Sequence, residues 1–408
     1  MDQIRSVDVC IVGAGPVGGV LAARLAGAGI STALIDRAAL PPMAHPDFDG
    51  RAYAIAAGSR RVLEDAGLWS LLPYVPNPIR RIRVSDGKTG RQASRLHLHF
   101  DVDDVTDQAT PFDGEPAFGW MVEARSLRMA LNAHLHTLPA LSVFAPAEVQ
   151  VVREDDGATV RITGGPTLRA RLVVAAEGRR SPLREAAGIR VTHLPYRQTG
   201  IVFAIAHQHP HGDVALEHFL PGGPFAQLPM AATEGAAHVS AIVWTERDAL
   251  AGHILGLDDA RFTREVARRL DDHLGAIRLI GRRWSYPLSA MVVHAMTAPR
   301  LALVGDAAHG IHPIAGQGLN LGFQDVGPLA EAVIEAVAAG EDPGSAAVLR
   351  RYQATRWPAV TAMTAMTDGL DRLFSNDFPP VRAARDLGIA AVQRIAPLKR
   401  MFMRRAMG

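Results

Sequence analysis

The sequence predicts an α/β fold, and three observations carry that expectation. Near the amino terminus, a short β-branched run (residues 7–12) leads into a glycine-spaced turn and an apolar helix. Far along the chain, a second apolar run (301–304) leads into another glycine-rich loop and another helix. Between them lie short apolar segments broken by glycine and proline, as expected of a second, strand-rich unit.

The first unit is "VDVCIVGAGPVGGVLAARLAGAGISTALIDR", residues 7–37. The opening run reads as a buried strand. Gly13, Gly15 and Gly18 follow in G-x-G-x-x-G spacing, with Pro16 and Val17 opening the helix. Gly13 permits the tight turn, Gly15 lets backbone approach a pyrophosphate, and Gly18 lets helix and strand pack closely. The start of the helix offers free N–H groups and a positive dipole end to phosphate. A second strand, 31–35, delivers Asp36 and Arg37. Asp36 stands 23 residues after Gly13, where an acid accepts hydrogen bonds from an adenosine ribose. The unit is a dinucleotide site, and it suits NAD and FAD equally.

The second unit, "LALVGDAAHGIHPIAGQGLNLGFQDV" (301–326), admits three readings. His309 and His312 have a metal-ligand spacing on a helix, but Gly310 and Pro313 disfavour a regular helix there, and no cysteine is at hand. "GQGLNLG" spaces its glycines G-x-G-x-x-x-G with no strand directly before it, which argues against a second nucleotide loop. A site for a flat cofactor fits better. Gly305 and Asp306 close the strand, and Asp306 can bond a polyol hydroxyl. Gly316 and Gly318 bare the backbone, and a helix starting near Leu319 aims its amides at developing negative charge.

Composition excludes several classes. The chain has 408 residues, 48% of them hydrophobic, and a net charge of +2, which argues against electrostatic capture of nucleic acid. Lysine occurs only at Lys88 and Lys399, which disfavours Schiff-base chemistry. Cys10 is the one cysteine, so dithiol electron relay is excluded and a buried apolar role is expected. Residues 1–6 are polar and carry no signal peptide, and no long apolar window spans a bilayer. A cytoplasmic protein is expected, with peripheral contact to the inner face of the membrane left open. Residues 382–408 are basic, with Asp386 their one acid. They read either as a terminal helix packed on the protein or as a contact with an anionic membrane surface or a biosynthetic complex.

"GDAAHGIHPIAGQGLNLGFQDV" is similar to the second FAD motif of class A flavin monooxygenases, the para-hydroxybenzoate hydroxylase-like group. In detail it most resembles the ubiquinone-biosynthesis hydroxylase family. "RAYAIAAGSRRVLEDAGLW" (51–69) resembles that family's helix after the first βαβ unit, whose leading arginine, here Arg51, faces the flavin. "EARSLRMAL" (123–131) resembles the segment that sends an arginine, here Arg125, to the FAD phosphate and ribityl region. "GPFAQLPM" (223–230) resembles a segment beside the substrate pocket, and residues 352–375 resemble the carboxy-terminal helices. The resemblance runs from about residue 7 to about residue 400. It departs at "VVAAEGRRSPLREAAGI", where Glu177-Gly178 stands in place of the usual Asp-Gly. The carboxylate is kept with one more methylene. Arg179, Arg180 and Arg184 read equally as phosphate-attracting groups or as solvated surface.

The resemblance implies a Rossmann-like FAD-binding domain of residues 1–75, 101–180 and 286–365, the class A flavin monooxygenase fold. A discontinuous α+β substrate domain takes 76–100 and 181–285, and C-terminal helices take 366–408. It implies FAD held by Gly13, Gly15, Pro16, Val17, Gly18, Asp36 and Arg37 at one end. Arg51, Arg125 and Val149 lie between. Gly305, Asp306, Pro313, Gly316, Gly318, Leu319 and Asn320 take the flavin end. NAD(P)H docks transiently at Glu177, Gly178 and Arg179. By the same resemblance, O2 and reduced flavin give a C4a-hydroperoxide, which hydroxylates an aromatic substrate, expected to be a prenylated phenol, in ubiquinone synthesis. No metal is expected. The loop of His312, Pro313 and Ile314 passes the flavin's reactive edge and supplies shape and desolvation. No general base is identified; His218, His238 and Tyr196 read first as structural.

Within the substrate domain, 81–84 and 94–100 read as a β-hairpin, 258–274 as an amphipathic helix, and the alternating histidines of "AHQHPHGD" (206–213) as a surface loop because Pro210 and Gly212 interrupt them. Three other functions stay open: hydroxylation of a small soluble phenol, reduction of prenyl double bonds, and a flavin-holding accessory subunit without turnover.

Overall fold

The computed structural model describes residues 4–40, 48–87, 98–104, 116–270, 272–312 and 316–374. The chain opens with β1 (Arg5–Val12), α1 (Pro16–Gly27), β2 (Thr32–Ile35), β3 (Ala52–Ala56) and α2 (Ala57–Asp65). It continues through β4 (Asn77–Ile79), β5 (Arg81–Asp86), β6 (Leu98–Asp101), β7 (Gly119–Glu123), α3 (Ala124–Leu135), β8 (Leu141–Phe144), β9 (Val149–Glu154), β10 (Gly157–Ile162) and β11 (Thr167–Ala175). Then come α4 (Pro182–Ala186), β12 (Val191–His207), β13 (Val214–Leu220), β14 (Gly223–Met230), β15 (Val239–Arg247), α5 (Asp248–Leu255) and α6 (Asp259–Ala267). The last elements are β16 (Ile277–Val293), β17 (Thr297–Ala298), β18 (Leu301–Leu303), β19 (His309–Gly310), α7 (Gln317–Ala338) and α8 (Ala346–Phe374).

Three sheets organise these elements. In the first, β18, β11, β1, β2 and β8 run parallel, and β17 and the β9–β10 pair add antiparallel edges. Its central strands are apolar at successive positions: α1 packs on β1, β2 and β8, α3 and α7 pack on α1 in turn, and residues 9–11 are wholly buried. Strand β18, more than 120 residues after β11 in sequence, joins directly beside it. This puts the second glycine-rich stretch next to the first. Tyr352 of α8, buried, donates its hydroxyl to the Leu303 carbonyl at 2.7 Å and so fastens α8 to the end of β18.

The second sheet has the order β19-β16-β12-β15-β14-β13-β5-β6 and is antiparallel except at β13–β5. One face packs on α5 and α6 through Phe203, Trp244, Phe262 and Val266. The other face packs on the small sheet β3-β7-β4 through Ala215, Leu228, Ala241 and Ile280 on one side and Ala54, Phe118 and Met121 on the other. No helix among the described residues is long and apolar enough to cross a membrane.

Several expectations change in detail. Strands β5 and β6 pair in antiparallel register, Val84 opposite Leu98, while residues 88–97 between them lie outside the described residues. The helix expected over 258–274 ends at Ala267, followed by a short turn at Asp272–Leu274; Asp258 caps its start by accepting from Arg261 N at 2.8 Å. The histidine segment is not simply a surface loop. Strand β12 runs on through His207, whose ring is buried, stacks on His238 and donates through Nδ1 to the His209 carbonyl at 2.7 Å. Gln208 to Pro210 and Gly212 are the exposed positions of this segment. Pro210 and Gly212 do end the strand, but cross-strand pairing with β15 and β16 carries it further than local sequence suggests. The basic tail lies outside the described residues.

Candidate active site

The first glycine turn is sterically dictated. Gly13 has φ +109°, and a Cβ there would sit 2.3 Å from the Ala176 carbonyl oxygen; a Cβ on Gly18 would sit 2.0 Å from the Gly13 carbonyl oxygen. Gly15 is different: its φ is −65° and nothing lies within 4 Å of where its Cβ would be. Its backbone is bare on the side where a ligand would approach. It also caps α1 without any side-chain bond, and Pro16 fixes the first helical φ. The Asp36 carboxylate steadies the turn, accepting from Ala14 N at 2.6 Å and Ala38 N at 2.8 Å. Arg37 is exposed beside it. Val149 starts β9, two residues past Ala147, whose N–H donates to the Asp36 carbonyl at 2.7 Å.

Val17 joins this turn to the second stretch. A Cβ on Gly322 of α7 would come within 2.7 Å of the Val17 side chain, and one on Gly305 within 3.1 Å. Small residues on one side and a β-branched residue on the other let α1 and α7 lie close together. Helix α7 begins after Gly316, which is left-handed at φ +65° and gives no side-chain cap. Gly318 has open space where its Cβ would be. Leu319 is partly buried in the first turn. The amide of Asn320 is engaged with β3: Nδ2 donates to the Ala54 carbonyl at 2.8 Å, and Oδ1 accepts from Ala56 N at 2.9 Å. Asn320 thus sets the spacing between the start of α7 and β3.

Beneath the turn after β18 lies a buried ionic cluster. Asp325 of α7 accepts from Gly305 N at 2.8 Å and from His309 Nε2 at 2.7 Å on one oxygen. Its other oxygen accepts from Arg356 Nε of α8 at 2.8 Å, and Arg356 also donates to the Leu321 carbonyl. Burial alone would push the Asp325 carboxyl up; the charge and hydrogen bonds of His309 and Arg356 outweigh it and hold the group below the usual carboxylate range. His309 and His312 serve different partners. His312, fully buried, meets the Gln198 side-chain oxygen at 3.2 Å and sits edge-on to Tyr196. Pro313 and Ile314, expected at the flavin edge, lie outside the described residues.

Arg51 precedes β3, pairs with Asp49 at 2.6 Å and stacks over the Trp284 ring at 4.2 Å. Arg125, in the first turn of α3, pairs with Glu123 at 2.5 Å and stacks over Tyr74 at 4.3 Å. Both guanidiniums are therefore oriented by an acid and a ring. Glu177 follows β11 and accepts from Ser181 Oγ at 2.5 Å and more weakly from Leu183 N. Burial raises its carboxyl above the ordinary range, against the pull of Ser181, the Leu183 amide, Arg184 and Arg37. Gly178 is left-handed at φ +87°. Arg179 lies over Gly310, donates to Ser289 and pairs with Asp306 at 3.4 Å, both partners being exposed. Arg184 is neither solvated surface nor free to attract phosphate. It is buried, and donates to the carbonyls of Ala307 at 2.9 Å and Arg179 at 2.8 Å, which lie far away or locally folded back.

Sequence reasoning missed Asp325, Arg356 and Glu217. The first two are an acid and a base on apolar helix faces, a signal that exists in the sequence but names no partner. Glu217 is the lone acid in the apolar strand β13 (VALEHFL). Burial pushes its carboxyl up to about 7. His218, one residue on, bonds Ser85 Oγ at 2.6 Å on the opposite face.

Known proteins share this architecture. The pattern of the FAD binding domain family matches residues 6–367. Ubiquinone hydroxylase UbiL of Rhodospirillum rubrum is 47% identical over 405 residues, covering 99% of this chain and 90% of that protein. The 3-demethoxyubiquinol 3-hydroxylase of Escherichia coli is 33% identical over 407 residues, covering 99% of each. The crystal structure of p-nitrophenol 4-monooxygenase PnpA from Pseudomonas putida superposes with a TM-score of 0.76 at 19% identity over 99% of each chain; at that identity the likeness is one of fold alone.

Glu217 gives the fold a pH signature. Its carboxyl ionises near 4.5 in the unfolded chain and about 7 in the folded one. Below the lower value both states are protonated. Between the two only the unfolded state sheds its proton, so stability falls as pH rises and has lost the full contribution above the folded value. Glu217→Gln should therefore be more stable than the parent at pH 8, by roughly 2–3 kcal/mol, and no more stable at pH 4. Urea unfolding at the two pH values measures this.

Proposed function

The chain belongs to the FAD binding domain family, and from that premise we propose that it is an FAD-dependent monooxygenase that hydroxylates the ring of a polyprenylated phenol on the route to ubiquinone. The observation that carries the cofactor is the pair of uncapped, glycine-bared helix starts, α1 and α7, held together through Val17. The residues present fit FAD. Open space at Gly15 and Gly318 leaves room for a ligand against the backbone, and neither helix start is filled by a side chain of this protein. The substrate class is supported by the two hydroxylases, 47% and 33% identical, that match along almost the whole chain.

When bound, FAD supplies hydride acceptance from NAD(P)H and activation of O2 for transfer of one oxygen atom to an aromatic ring. The protein's own residues hold and orient. In this reading the free amides at the start of α1 receive the pyrophosphate, with Gly13, Pro16 and Gly18 shaping the turn. Asp36 accepts from the ribose hydroxyls beside Arg37 and Val149, and Asp306 accepts from the ribityl chain next to Gly305. Gly316, Gly318 and Leu319 direct the α7 dipole toward the ring, with Asn320 fixing that helix start against β3. Arg51 and Arg125 line the path between. Glu177, Gly178 and Arg179 form the docking edge for NAD(P)H. The apolar floor of Leu228, Val243 and Val202 keeps water from the ring and suits a prenylated substrate. This reading keeps the division into a discontinuous FAD-binding domain, a substrate domain and C-terminal helices. The basic segment 382–408 is assigned to contact with an anionic membrane surface, where a lipid-tailed substrate resides.

The test is oxygen incorporation. Purified protein with NAD(P)H, 18O2 and a 2-polyprenylphenol should yield a catechol or hydroquinone carrying one 18O; product without label, or product formed equally without O2, contradicts the proposal. Gly15→Val serves as control. A Cβ at this position has no atom within 4 Å, so the variant should fold with nearly unchanged stability yet purify without flavin and without hydroxylation.

A further inference from the structure

Glu217 has no structural role that accounts for it. Strand β13 alternates, so Ala215 and Phe219 share its face. Ala215 belongs to the apolar cluster against β3 and β7, and Phe219 packs with Leu98. The ladder sets Val84 on one side and Ala226 on the other, so the cross-strand neighbours carry neither charge nor donor. Glu217 is 9% exposed. Among the described residues its carboxyl makes no hydrogen bond or ion pair, and burial alone governs its titration. An acid left in such a place is costly to the fold unless something else engages it.

The face that carries Glu217 packs on β3, and β3 in turn touches the glycine-rich start of α7. Ala54 packs into the same apolar cluster as Ala215 and Leu228. Its carbonyl accepts from Asn320, and its Cβ would lie 3.4 Å from a Cβ on Gly316. Across the sheet from Glu217 run Ala226, Val243, Val202 and Trp284, and Arg51 stacks on that tryptophan. Val243, Val202 and Trp284 are only half-buried. They form a floor for a flat ring, with one acid at its edge. A ring lying over Ala226, one strand or about 5 Å away, comes within reach of the carboxylate.

Resting on the hydroxylase reading, we propose that Glu217 is a catalytic residue: it accepts the hydrogen bond of the substrate's ring hydroxyl and takes that proton as oxygen is transferred. The O–H bond breaks with its electron pair left on the phenol oxygen, and the proton forms an O–H bond on Glu217. The electron-rich ring then attacks the electrophilic oxygen that O2 and NAD(P)H supply: a C–O bond forms, the O–O bond breaks, and the second oxygen leaves with the bonding pair and is protonated to water, NAD(P)H having provided the two electrons. The ring carbon that received oxygen loses its own proton to water. The carbonyl oxygen recovers the proton held by Glu217, which restores both the aromatic ring and the carboxylate. A carboxyl that titrates at about 7 is matched to this task near neutral pH.

The experiment compares FAD-loaded wild type, Glu217→Gln and Glu217→Asp with 2-geranylphenol as the probe. Calorimetric binding at pH 6, in two buffers of different ionisation enthalpy, counts protons. The free wild-type carboxyl is mostly protonated there, and accepting a phenol hydrogen bond favours its charged form. Wild type should release roughly half a proton or more on binding. Glu217→Gln should bind within about threefold of wild type and release none. In turnover, Glu217→Gln should lose about 100-fold or more in kcat with little change in KM, and lose the acid limb of kcat/KM near pH 7. Glu217→Asp should recover part of both. Equal proton release by wild type and Glu217→Gln, or turnover of Glu217→Gln within threefold with the acid limb intact, overturns the assignment. If wild type binds the probe with proton release but forms no hydroxylated product, the hydroxylase reading fails and Glu217 is a phenol-binding residue without a catalytic role. If neither protein binds the probe, the phenol reading and this assignment fall together.

Discussion

A carboxylate with no exposed surface organises the cofactor end of this fold. Asp325 receives Gly305 N, His309 and Arg356 at 2.7–2.8 Å, and these partners come from the turn after β18, from β19 and from α8. Moving such charges out of water costs several kcal/mol each, and only close, fully bonded geometry offsets it. The cluster therefore tolerates one arrangement. Wherever α7 and α8 pack, the Gly305–Asp306 turn must follow, because its amide is one of the bonds that keep Asp325 ionised.

The same helix carries that constraint to the site. Four residues before the N-terminal end of this cluster's helix turn, at Leu321, Arg356 also holds a carbonyl. One residue earlier Asn320 clamps β3, and the first amides of α7 are left without side-chain caps. On its other flank α7 meets Val17 through Gly322, which locks it to the first glycine turn. Two helix starts that are distant in sequence become the two ends of one elongated cradle. The long strands β12 and β16 extend from there, and the face they turn toward β3 supplies the apolar floor. Arg51 and Arg125, each held by a carboxylate and a ring, border the same layer with oriented positive charge.

How much of this can be read in the sequence follows from range. Gly13 and Gly18 were legible because their reasons are local: a turn and a close helix–strand crossing that no side chain survives. The start of α7 lay within two residues of its expected place, since Gly316 and Gly318 announce it. The full length of strand β12, Val191–His207, is not legible locally, because its pairing partners lie some 40 to 100 residues away. Arg184 read equally as a phosphate-attracting group or as surface for the same reason: the Ala307 carbonyl that it holds lies 123 residues further on. Asp325, Arg356 and Glu217 are charges in apolar surroundings that the sequence reading passed over. Whether such a charge is paired, as Asp325 is, or left alone, as Glu217 is, depends on contacts that no spacing encodes. Glu177 shows the intermediate case: its change from aspartate was visible, but its bond to Ser181 was not.

The most direct test of this account is the flavin content and urea midpoint of Asp325→Asn, which keeps the side-chain shape and removes the charge. The account predicts protein that purifies largely without FAD and unfolds at a clearly lower midpoint, by about 3 kcal/mol, because Arg356 and His309 lose their counter-charge in a buried site. A variant that retains one FAD per chain with an unchanged midpoint would show that the cradle does not depend on this cluster.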